Sequence, residues 1–181
     1  MAVPLISSQD IEARLGRPLT AAETARVDAL IADASAEVRA YTGQLITVGT
    51  STVTLPVVGG RVTLPQRPVN AVAAIDGEPV DEPDLVGATL RGLSGCEVTV
   101  TYQHGYDQVP DDIVSVVAAM VLRGLATSPA APLYSRESIG EYSYGLPESA
   151  LARRVIVDRT DRATLDRYRT PDVGVAWLSL P

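Results

Sequence analysis

Apolar residues recur at helical spacing in two long stretches of this chain, and between those stretches the period falls to two. Val27, Leu30, Ile31, Ala34, Val38 and Tyr41 line one side of a predicted helix whose other side carries Asp28, Asp33, Glu37 and Arg39. Thr20 with Glu23 three residues on is a capping box at its start, and Gly43 is its stop, so the pattern predicts a helix over residues 21–42. A shorter helix over 8–15 begins at the cap Ser7-Ser8-Gln9-Asp10 and ends at Gly16 and Pro18. A third, over 111–126, has Pro110 and two aspartates at its positive end. Ile113, Val116, Val117, Met120, Val121 and Leu125 form its apolar face, which Val114 and Ala118 widen. So broad a face needs more than one neighbour, within the fold or in an adjacent subunit. Asp158 caps a last helix over 159–169.

From 47 to 102 the alternation is that of strands. Val53 and Leu55, the reversing pair Gly59-Gly60, and Val62 with Leu64 predict a hairpin. A second hairpin is predicted at Asp76-Gly77, between the run Ala71 to Ile75 and Val80. Asp81-Glu82-Pro83-Asp84 is an exposed loop, and Leu90 with Val98, Val100 and Tyr102 completes the sheet. The fold class is therefore α+β, a small helical bundle with an inserted β-hairpin or β-sheet module, taken as one domain over 1–170. Residues 128–148 form a long loop with an embedded extended segment, in which Tyr142 and Tyr144 share a face suited to strand pairing within the fold or with a neighbour. Residues 171–181 form an extended tail in which Val173, Val175 and Trp177 alternate. An apolar tail of this kind suits addition to a partner's groove better than packing on itself.

Composition narrows the function. Of 181 residues, 46% are hydrophobic but only 4% aromatic, with no Phe, so the core is aliphatic and a marginal monomer would gain from subunit contacts. All 15 basic residues are arginine, as a GC-rich genome would encode, and the net charge of −7 lacks the basic stripe that phosphate binding needs. No apolar run reaches the length of a membrane span and no leader opens the chain, so a soluble, unprocessed protein is expected. One Cys and one His cannot build a four-ligand zinc site within one chain. His104 could be imagined as a base beside Asp107 or Asp111, but no nucleophile signature accompanies it, and a structural role in the turn is the better reading. Cys96 is expected in the core, Asp111 and Asp112 as helix-start residues, and Arg153 with Arg154 as a solvated or salt-bridged pair.

Several segments in order carry a resemblance. They are Tyr41-Thr42-Gly43, Ala74-Ile75-Asp76-Gly77, the run Val98-Thr99-Val100-Thr101-Tyr102-Gln103-His104-Gly105-Tyr106 with Val109-Pro110, then Glu137-Ser138-Ile139-Gly140-Glu141-Tyr142-Ser143, and Leu165-Asp166-Arg167-Tyr168-Arg169. Together the chain resembles the head-to-tail connector (adaptor) proteins of long-tailed bacteriophages, often called gp6-like or gp15-like connectors. The resemblance implies a non-catalytic virion protein of the neck, made in the host bacterial cytoplasm, without cofactor or metal. It implies a ring of twelve copies beneath the portal, with DNA passing through the channel unbound, and a stopper or tail-completion protein on the far side. It carries portal docking onto Val173, Val175, Trp177, Leu178 and Leu180. Ring contacts are expected at Val114, Val117, Ala118, Val121, Tyr142 and Tyr144. Two other readings stand beside it: a neighbouring stopper or tail-completion ring protein, and a small hydrolase or transferase using His104.

Overall fold

The computed structural model describes residues 3–126, 136–139, 142–145 and 155–170, and divides into two compact units. One comprises the chain up to Tyr41 with Asp111–Leu165; the other comprises Thr42–Pro110 with the chain from Asp166 onward. The division falls close to the two ends of the expected β insertion, which shares its unit with the chain from Asp166 onward.

The first unit is helical. Helix α1 (Ser8–Leu15) starts where the Ser7 amide donates to the Asp10 carboxylate at 2.8 Å, and stops at Gly16, whose amide donates to the Glu12 carbonyl at 2.9 Å. Helix α2 (Ala21–Thr42) starts at the expected box: the Thr20 amide donates to Glu23 at 2.9 Å and the Glu23 amide to the Thr20 hydroxyl at 3.3 Å. Arg17 adds a bidentate pair to the same carboxylate and holds it well below the usual carboxylate range. Helix α3 (Asp111–Ala126) buries Ile113, Val116, Val117, Ala118, Met120 and Val121. Helix α4 (Arg159–Leu165), continued by a 3-10 turn at Asp166–Tyr168, starts at Asp158, which accepts from the Thr160 and Asp161 amides at 2.7 and 2.8 Å. Asp161, nearly buried, pairs with Arg123 of α3, and Arg26 of α2 donates to the Gly124 carbonyl at 2.7 Å. The aliphatic face of α3 is thus covered by helices of its own chain, with Ile11, Val27, Ile31, Ala34, Val38 and Leu165 buried alongside.

The second unit is a pair of antiparallel sheets around one core. Strands β1 (Gly49–Pro56), β7 (Glu97–His104), β3 (Val69–Ile75) and β4 (Glu78–Pro79) form the first sheet in the order β1-β7-β3-β4. Strands β2 (Arg61–Thr63), β6 (Thr89–Arg91) and β5 (Leu85–Val86) form the second in the order β2-β6-β5. Val62, Leu64 and Leu90 meet Val72, Val98, Val100 and Tyr102 in the core. Two expectations need correction. The Gly59-Gly60 pair does reverse the chain, with reciprocal amide bonds between Val58 and Arg61 at 3.0 and 3.1 Å, but the flanking strands part: β1 pairs with β7 and β2 with β6. Cys96 is exposed, because it precedes β7 at the end where burial has stopped, Glu97 being exposed as well. The Asp76-Gly77 hairpin forms as expected, with Ile75 opposite Glu78. An antiparallel pair, β8 (Arg136–Ile139) with β9 (Tyr142–Gly145), completes the described elements, and no helix among them is long and apolar enough to cross a membrane.

Candidate functional site

His104 is where an enzyme reading would have to begin. It is the last residue of β7, fully buried, and belongs to the strand; the turn beyond it is made by Gly105. Its Nε2 lies 2.8 Å from the Ser51 hydroxyl of β1, its ring is tilted against Tyr102 at a centroid distance of 5.4 Å, and its buried Nδ1 has no partner among the described residues. Asp107 is exposed. What the fold brings to the imidazole is thus a serine from the adjacent strand and no carboxylate to orient the other nitrogen, the third member that a Ser-His device needs. Among the described residues no group of three His, Cys, Asp or Glu side chains could hold a metal ion.

Burial pushes the His104 pKa down, since the charged imidazolium would lose its water. The unfolded chain therefore takes up a proton, at an ordinary pKa of about 6.5, that the folded chain refuses. Stability should be full above that value and fall as pH drops below it. As this is the only histidine, urea unfolding measured between pH 8 and pH 5 should show the slope in the wild type and lose it in His104→Gln. A slope retained by the variant would assign the effect to another group.

A second polar cluster is built at the base of the β unit, where α2 has ended. Gln44 is buried, and its amide is fully satisfied. Its Oε1 accepts from the Arg67 amide at 2.7 Å, and its Nε2 donates to the Pro65 carbonyl at 2.9 Å and the Thr170 hydroxyl at 2.7 Å. Gln66 ties the same loop down, accepting from the Leu45 amide at 2.7 Å and donating to the Gly43 carbonyl at 3.0 Å. The Thr170 amide donates to the Thr42 carbonyl at 3.2 Å, and Tyr168 packs edge-on against Tyr106 at 6.2 Å. The point from which residues 171–181 leave is therefore fastened to the β unit. Nothing in local spacing announced this cluster, because its three chain segments are far apart in sequence.

The expected site residues fare differently. Val173, Val175, Trp177, Leu178 and Leu180 lie outside the described residues, as do Arg153 and Arg154. Val117, Ala118 and Val121 have zero exposure, so their surface is already covered inside the chain, and of the four α3 positions expected at the ring Val114 alone stays half-exposed. Tyr142 and Tyr144 sit in β9, opposite Ile139 and Glu137. The two strands of this segment pair with each other. Apolar exposure instead appears at Leu45 and Val48 on the approach to β1, which are 47% and 51% exposed.

No family model matches the sequence, and no curated protein does. Solved structures that share the fold include two neck chains. A chain from the neck of an empty GTA particle, computed with C6 symmetry, superposes with a TM-score of 0.55 at 17% identity, over 92% of this chain and 90% of that one. A chain from the neck of a native GTA particle, computed with C12 symmetry, does so with a TM-score of 0.50 at 16% identity, over 94% and 96%.

Proposed function

We propose that this protein is a structural component of the neck of a phage-like particle, a head-to-tail adaptor that assembles as a ring around the DNA channel. The observation that carries the reading is coverage: both neck chains match this one almost end to end, so the shared architecture is that of a whole neck subunit rather than of a common module. Their C6 and C12 symmetries support a homo-oligomeric ring, with twelve copies as the assigned number. The net charge of −7 fits a channel wall along which DNA slides without adhering.

In this reading the ring contacts involve Val114 and the Tyr142 and Tyr144 strand, and the portal is engaged by the tail residues Val173, Val175, Trp177, Leu178 and Leu180. The fastened position of Thr170 supports the second assignment, since a docking segment gains from leaving a fixed point. A stopper or tail-completion protein occupies the opposite side. The role is non-catalytic, and His104 serves the β1–β7 pairing. Ending the chain after Thr170 should leave a folded protein that forms rings but gives at least about a hundredfold fewer tailed particles, the avidity of a dozen docking segments being lost at once. Counting tailed and tailless heads by electron microscopy is the test; undiminished tail attachment would overturn it.

A further inference from the structure

Strand β1 is an edge strand with none of the devices that usually guard one. The opposite edge of the same sheet, β4, is two residues long and consists of Glu78 and Pro79. By contrast β1 runs for eight residues, carries no charge, has no proline before its last position, and pairs with β7 without a bulge. No backbone group among the described residues pairs with its outer edge. The core face is also left open on that side. Val98, Val100 and Tyr102 of β7 are buried, while their cross-strand partners Leu55, Val53 and Ser51 are only half-covered. A further strand laid along β1 would satisfy the free amides and carbonyls and cover Val53 and Leu55 in one step.

We infer that the outer edge of β1 is a strand-acceptor surface, and that its occupant in the unassembled protein is the chain's own segment 173–180. Three observations select that occupant. The segment Val173-Gly174-Val175-Ala176-Trp177-Leu178-Ser179-Leu180 is uncharged and free of proline, alternates from Val173 to Trp177, and its eight residues match the eight of β1. Both would extend for about 26 Å as strands. The tether is short and correctly placed: Thr170 is bonded to Thr42 and Gln44, and Tyr168 packs on Tyr106, whose neighbourhood bridges to Thr47 just ahead of β1. Leaving from that end, the segment would run parallel to β1, with Val173, Val175 and Trp177 on one face. Such a tether makes the pairing intramolecular, so it competes well with capture by another molecule. Resting on the proposed neck role, this gives the tail two successive partners: β1 in the free subunit, where each covers the other, and the portal after docking, which exposes β1 for neighbours.

Hydrogen exchange on the isolated full-length chain tests it. In the wild type, both the outward amides of β1 and those of the tail should be protected. In a full-length variant carrying Val175→Pro and Ala176→Pro, which removes a donor in either pairing phase, exchange at β1 should quicken roughly tenfold or more while β7 is unchanged. Equal β1 exchange in the two proteins, or unprotected tail amides in the wild type, would overturn the inference. So would protection that disappears on dilution, which would mean that the strand comes from another copy. No particle is involved, so failure here leaves the neck role standing, and failure of the truncation test leaves this result untouched.

Discussion

Gly105→Ala should destabilise the β unit by more than about 3 kcal/mol, a loss that chemical denaturation would register as a large drop in midpoint. The residue sits at φ 92°, in the region that side chains rarely adopt, and a Cβ there would lie 2.3 Å from the Thr47 carbonyl oxygen and 2.9 Å from the Val48 amide nitrogen. Both obstacles are backbone, so no rotamer change relieves the clash. The segment that would have to move is also the one that closes the sheet. The Gly105 amide donates to the Pro68 carbonyl at 2.9 Å, Asn70 donates to the Gly105 carbonyl at 2.9 Å, and the Tyr106 amide donates to the Ile46 carbonyl at 2.8 Å. Gly49→Ala, on the strand just opposite, is the control. Its Cβ would meet the His104 ring at 3.4 Å and its φ is unremarkable for a side chain, so its effect should stay within about 1 kcal/mol. Comparable losses for the two variants would mean that the turn is not the rigid point described.

What the sequence revealed was local, and what it concealed was not. The Thr20–Glu23 box, the Asp158 cap and the Asp76-Gly77 hairpin were legible because cause and effect lie within a few residues of one another. The pairing of β1 is not legible in the sequence, because a turn residue fixes only the reversal, while the choice of partner depends on which strand presents a matching apolar face. Here that strand is β7, some forty residues onward, and its Val98, Val100 and Tyr102 outcompete the nearby but short β2. Cys96 shares the period-two phase of Val98, yet periodicity says nothing about where the covering layer stops. The breadth of the α3 face is legible in the sequence, but what covers it is not. The helices of the same chain resolved it by burying Val117, Ala118 and Val121, which moves any subunit contact away from those positions. The aliphatic alternation of β1 was visible too, but only the sheet order shows it at an unguarded edge.

The other large effect is expected at Gln44, and it bears on the tail as much as on stability. Replacing Gln44 with Leu keeps much of the volume but deprives the Arg67 amide, the Pro65 carbonyl and the Thr170 hydroxyl of their partner together. Because these groups are half-covered rather than deeply enclosed, water can reach some of them, and the cost should be about 2–3 kcal/mol rather than the sum of three full desolvation penalties. The more telling consequence is local. Thr170 would keep only its amide bond to Thr42, so the chain on either side of it should loosen before the sheets do. Trypsin cleavage after Arg169 reports this directly: in Gln44→Leu it should accelerate by more than the global loss of stability predicts. A Gln44→Glu variant retains the acceptor for Arg67 but lacks both donors, and it should loosen Arg169 while losing less stability than the leucine variant. If cleavage in both variants merely tracks the denaturation midpoint, Gln44 is an ordinary buried amide. Departure of the tail from a fixed point would then have to rest on Thr42 and the Tyr106–Tyr168 contact alone.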